Sequence, residues 1–110
     1  MPYNLVLEER MEKLVPPGAG YEKKKMFGGI GCLFNGNMGF GIYRDFLVLR
    51  LDERNAERLL KETPARPFDI TGRPMKGWVM VSETGWRDPK KLKEWLLSAR
   101  QHALSLPAKS

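Results

Sequence analysis

Among its 110 residues the chain has a single cysteine, Cys32, and a single histidine, His102. One cysteine excludes an internal disulfide, which fits a reducing compartment and not a small secreted scaffold. One His and one Cys cannot build a zinc site, and no run of carboxylates has calcium or magnesium spacing. No apolar run approaches the ~20 residues that span a bilayer. The first ten residues lack a basic stretch followed by an apolar one, so no secretory signal is read. These absences predict a cytoplasmic location, no membrane contact and no cofactor.

Catalytic motifs are equally scarce. His102 has no sequence-local carboxylate or cysteine to form a catalytic pair, so it reads as a surface or boundary histidine. Cys32 sits among apolar residues and reads as core. The glycine-rich run Met26-Phe27-Gly28-Gly29-Ile30-Gly31 is followed by a strand and a turn, not by a helix N-terminus, so it is not a phosphate loop. The chain is therefore expected not to be an enzyme. Acid–base work by carboxylates that meet only in space stays open.

What is present describes one folded unit, residues 1–110. The hydrophobic fraction is 42% and the charged fraction 29%, both ordinary for a globular chain. Leu7, Met11 and Leu14, with Tyr3 a turn earlier, make one apolar stripe of a first helix, stopped at Pro16-Pro17-Gly18. From Met26 to Leu51 the chain reads as a three-stranded meander. Its turns are Asn35-Gly36, a strong hairpin signal, and Arg44-Asp45. Asp52 is placed to cap a second helix with Ala56, Leu59 and Leu60 on its apolar face, ended by Pro64. Phe68-Asp69-Ile70 is a short strand, and Trp78-Val79-Met80-Val81 another. Asp88-Pro89 opens the last helix. Leu92, Trp95, Leu96, Ala99, Ala103 and Leu106 fall on its core face. The expected fold is an α+β two-layer sandwich over an antiparallel sheet, in the order helix, three strands, helix, two strands, helix.

The net charge is +6. Residues 1–55 contribute +1 of this and residues 56–110 contribute +5. Lys90, Lys91 and Lys93 crowd the first turns of the last helix, where cations oppose the helix dipole. They form a candidate basic patch for an anionic partner, set against a plain solvated face. Leu97 and Leu104, a heptad apart and off the core arc, imply either a helix buried over a wider arc or a contact with another chain, as in a homodimer or partner docking.

Four segments match a known pattern in order and spacing: Lys25-Met26-Phe27-Gly28-Gly29-Ile30-Gly31, Asn35-Gly36-Asn37-Met38, Tyr43 with Leu49-Arg50-Leu51-Asp52, and Arg73-Pro74-Met75-Lys76-Gly77-Trp78. Together they resemble the N-terminal domain of the TfoX (Sxy) competence regulators, over roughly residues 3–105. The resemblance implies an α+β fold like that of type III secretion chaperones, a cytoplasmic bacterial or archaeal protein, and no catalytic residues. Full-length TfoX regulators are transcriptional co-activators with a second, C-terminal domain, whereas this chain ends near residue 110, so it is expected to be a stand-alone, single-domain member. The expected function is a non-enzymatic regulatory or adaptor domain that binds a protein partner such as a transcription factor. Nucleic-acid binding through the basic second half, or small-ligand binding, is the alternative. The candidate site is Lys25, Met26, Phe27, Gly28, Gly29, Arg73, Pro74, Lys76, Gly77 and Trp78. Met26, Phe27 and Trp78 would form its apolar floor, and Lys25, Arg73 and Lys76 its basic rim.

Overall fold

The computed structural model describes residues 3–16, 18–26, 28–69, 72 and 75–108. The elements run α1 (Leu5–Leu14), β1 (Tyr21–Met26), β2 (Gly29–Phe34), β3 (Asn37–Tyr43), β4 (Phe46–Arg50), α2 (Glu53–Leu60), β5 (Ala65–Pro67), β6 (Trp78–Val81), α3 (Glu83–Trp86) and α4 (Pro89–Ser105). The six strands make one open antiparallel sheet in the order β1-β2-β3-β4-β6-β5. The α+β antiparallel architecture is as the sequence predicts. The element list gains one strand, β1, and one single-turn helix, α3. The fifth strand is Ala65–Pro67, not Phe68–Ile70; Ile70 lies outside the described residues.

The expected turns form. Asn35 (φ 53°) and Gly36 (φ 84°) join β2 to β3 with the paired positive φ of a two-residue hairpin. Arg44 (φ 55°) turns β3 into β4. The ladder shifts register between Cys32 and Leu33, where Gly39 is the extra residue of a bulge. A side chain at Gly39 would strike the Phe34 ring at 2.8 Å.

The expected caps form as well. Asn4, not among the expected caps, also caps α1 through Leu7 N–H at 2.9 Å. Asp52 caps α2 through Asn55 N–H at 3.2 Å. Asp88 caps α4 through Lys90 N–H at 2.9 Å, with Pro89 next.

Strand alternation splits the sheet into two faces. Ile30, Cys32, Phe34, Phe40, Ile42, Leu47, Leu49, Val79 and Val81 point to one face. They pack there with residues of all four helices, including Leu7, Ala56, Trp86 and Leu96. The other face carries a smaller cluster of Met38, Val48, Phe68 and Met80, bordered by Met26, Tyr43, Phe46, Met75 and Trp78. Phe68 and Met75 reach it from the connection between β5 and β6. Methionine fills its irregular gaps: a Cβ on Gly31 would overlap the sulfur of Met26 and meet Met38 Sδ at 3.0 Å, and one on Gly41 would meet Met38 Cε at 2.9 Å.

Both sheet margins are blunted. β1 reads Tyr-Glu-Lys-Lys-Lys-Met and its four central residues are exposed, a charged edge of the kind that resists strand addition. On β5, Ala65 N–H turns back to Glu62 C=O (3.1 Å) and Phe68 N–H bonds Trp78 C=O (3.2 Å). Ladder alternation turns Arg66 N–H inward to its partner Met80. Pro67 has no N–H at all.

Candidate functional site

The residues of the expected site divide between two places. Phe27, Arg73 and Pro74 lie outside the described residues. Met26 ends β1, and Gly28 (φ 77°) lies in the β1–β2 turn ahead of Gly29. Trp78 opens β6, four strands across the sheet from Met26, ~19 Å laterally at ordinary strand spacing, and near the opposite end of the strands. Both side chains border the same second-face cluster, with Met38, Val48 and Met80 packed in it. Lys25 lies on the opposite face from Met26, because it shares strand parity with Tyr21 and Lys23, which face the helices. The late group, Lys76, Gly77 and Trp78 with Met75, stays together.

That late group meets α2. Ala56 and Leu60 of the helix, Pro67, Met75, Gly77 and Trp78 line a notch of about 230 Å³, with Glu53, Glu57 and Lys76 at its rim. The volume is just below the ~300 Å³ where small-molecule pockets begin, so the notch suits one or two side chains better than a whole ligand. Its wall is stiff. Trp78 stacks on Phe68 (centroids 5.8 Å apart, 22° between planes), and the Arg50 guanidinium lies over its ring at 5.8 Å. Gly77 is held at φ 82° with its carbonyl accepting Leu51 N–H at 2.7 Å. A Cβ there would meet Leu51 O at 2.5 Å, so this glycine is required by the backbone whatever else it does. Leu60 is 36% exposed at the mouth. Lys76 and Glu53 pair loosely at 3.8 Å, both exposed.

Residues 13–103 match the TfoX N-terminal domain. The chain belongs to that family. No curated protein and no solved structure matches the chain. The TfoX N-terminal domain family is one of regulatory domains and is not a known enzyme family.

Within this TfoX N-terminal domain the groups with chemical potential are largely committed to structure. Cys32 is buried in the main core. Burial pushes its thiol up to about 11, against smaller downward pulls from the Tyr21 hydroxyl and Lys23. Tyr21 donates to the sulfur at 3.3 Å, and burial, then this bond, raise its phenol. His102, isolated in sequence, shares a polar groove with Asp52, Asn55, Ser98, Gln101 and Ser105. No hydrogen bond or ion pair joins His102 to Asp52. Asp52 is held below the ordinary carboxylate range, first by the Asn55 side-chain amide, which donates to it at 2.6 Å. Among the described residues no three His, Cys, Asp or Glu side chains gather as metal ligands, and no helix is long and apolar enough to cross a membrane.

The lysines sit on separate elements, and several lie beside carboxylates, whereas Lys25, Lys90 and Lys93 make no ion pair among the described residues. Lys23 bonds Glu8 at 2.8 Å and pairs with Glu12 at 3.5 Å; Lys24 pairs with Glu22 at 3.5 Å. In the basic patch, Lys91 reaches Glu62 at 3.3 Å, while Lys90 and Lys93 are exposed on the first turns of α4. Leu97 and Leu104 are 40% and 43% exposed on its outer side, with Arg100 and Gln101 between them.

Proposed function

We propose that this TfoX N-terminal domain is a non-enzymatic regulatory adaptor of the cytoplasm that docks a protein partner, such as a transcription factor, through the notch between α2 and the loop entering β6. One observation carries the proposal: the late signature residues Met75, Lys76, Gly77 and Trp78 join Ala56 and Leu60 in a solvent-facing apolar notch with a charged rim. An apolar anchor site ringed by polar groups is the ordinary layout of a protein-docking patch. Family membership supports the regulatory role. Nucleic acid is the lesser reading, since Lys23, Lys24, Lys76 and Lys91 each lie beside a carboxylate and Glu57 at the notch rim adds a further charge that repels a phosphate backbone.

The test places a photo-crosslinking phenylalanine analogue at Leu60, or at Leu97 as a reference position, in living cells. The expected result is a defined adduct with another protein from Leu60 and not from Leu97. No adduct from Leu60, or the same adducts from both positions, would remove the proposal. An adduct of twice the chain mass from Leu97 would instead reveal self-association through the Leu97–Leu104 side of α4.

A further inference from the structure

The rim of the notch differs in charge from the rest of the molecule. The chain carries +6 overall, yet among the described residues the charged groups at the notch are Glu53, Glu57 and Lys76, a balance of −1. Glu53 and Glu57 are four residues apart on α2, so they stand one turn apart on the same side of the helix. Like charges at that spacing cost an isolated helix a few tenths of a kcal/mol. Glu53 recovers this cost from the helix dipole, because it lies in the first turn. Glu57, in the second turn, lacks that help and is offset instead by Arg54 and Lys61, three residues before it and four after it. It is exposed and makes no hydrogen bond or ion pair among the described residues. Between the two acids and the Trp78 wall lie the apolar surfaces of Leu60, Ala56, Pro67 and Met75. The notch thus offers one apolar socket with a negative shoulder on its α2 side.

From this we infer that the notch recognises a basic–apolar segment of its partner: one large apolar side chain seated against Leu60, Met75 and Trp78, with a lysine or arginine about one turn away on Glu57. The inference rests on the docking role proposed above and names the chemistry of what docks. The occupant is not an added strand. The outer edge of β5, which borders the notch through Pro67, offers no free N–H to a new ladder. The segment therefore binds through side chains, as an amphipathic helix or turn presenting its anchor and its cation from one face. The Lys76–Glu53 pair, long and fully solvated, does not block entry. The docked cation adds charge complementarity on the open side of Glu57, and the apolar anchor supplies most of the contact.

The experiment pans a phage library of random 12-residue peptides against the full chain in about 0.1 M salt, and against three variants: Glu57→Lys, Leu60→Glu and Leu97→Glu. All three positions are exposed, and circular dichroism confirms that each variant keeps its fold. Enriched peptides are expected to carry a large apolar residue with a Lys or Arg within four positions. They should lose about tenfold in affinity on Glu57→Lys, where one attraction is lost and one repulsion gained. They should lose more on Leu60→Glu and bind the Leu97→Glu variant unchanged. Peptides that need Leu60 but carry acidic or uncharged flanks, or ignore Glu57→Lys, would overturn the inference while leaving docking at the notch intact. Absence of enrichment, or peptides weakened by Leu97→Glu and not by Leu60→Glu, would overturn both.

Discussion

Gly28 and Gly77 share nearly the same backbone, φ 77° and 82°, and both belong to the family signature, yet alanine should affect them differently. In the left-handed region a β-carbon costs ~1–2 kcal/mol. Relief of unfolded-chain entropy returns about 0.5 kcal/mol. At Gly28 nothing lies within 4 Å of the new carbon, so Gly28→Ala should cost about 1 kcal/mol. At Gly77 the carbon would stand 2.5 Å from Leu51 O, well inside the ordinary contact range of 3.4–4 Å. That oxygen belongs to the residue whose N–H bonds Gly77 O at 2.7 Å. Relieving the clash stretches or breaks this link between β6 and the end of β4, adding about 1–2 kcal/mol. Gly77→Ala should therefore cost about 2–3 kcal/mol, which a chain of ordinary stability survives at 25 °C. In urea, with a slope of ~2 kcal/mol/M, the midpoint should fall by about 1–1.5 M for Gly77→Ala and about 0.5 M for Gly28→Ala. Gly28→Asn should lie closest to the parent, because asparagine tolerates the left-handed region. Equal losses at the two glycines, or a larger loss at Gly28, would refute the reasoning that close approach to Leu51 sets the requirement.

Two further outcomes follow from the titrating groups. With its thiol pushed up to about 11, Cys32 should resist iodoacetamide at pH 8 in the folded chain and react readily in urea; equal rates in both states would contradict its burial. The same shift makes Cys32 favour the fold below its ordinary value of 9.0, a contribution lost as pH rises from there toward about 11. Cys32→Ala should flatten the stability profile over that window. Asp52 has a lowered folded pKa, so its contribution is present above the ordinary carboxylate value and lost as pH falls through the folded one. Asp52→Ala should cost about 1 kcal/mol at pH 7. The gap to the parent, read by thermal melts, should narrow below about pH 4; a gap constant down to pH 2 would exclude the carboxylate cap.

The parts of the fold legible in the sequence are those where backbone chemistry leaves few choices. Asn35-Gly36 admits a tight hairpin, Asp88-Pro89 starts a helix, and the Leu92–Ala103 stripe needs a core. β1 was not legible because its exposed Glu22-Lys23-Lys24-Lys25 run shows no apolar alternation. Lysines there serve an edge strand, and the run resembles a basic loop until β2 is laid beside it. β5 is three residues long, bounded by Pro64 and Pro67, and it forms only because β6 offers a ladder. α3 is a single turn after Ser82, sealed by Trp86, whose indole donates to Asp45 O at 2.9 Å. One wall of the notch was legible through Lys76-Gly77-Trp78. The other wall lies about twenty residues earlier, where no motif singles out Glu53 or Glu57 and Leu60 reads as part of the apolar face. Leu60 in fact rolls off the buried line of Ala56 and Leu59. The expectation of a wholly basic rim therefore missed the acids that α2 contributes.

The closed margins of the sheet constrain how this molecule meets others. A three-lysine border at one end and a proline-stopped border at the other disfavour the zipping on of a second backbone, so copies are poor templates for one another as ribbons. A companion must instead read side chains on the faces or helices, which makes recognition depend on shape and charge that a single substitution can rewrite.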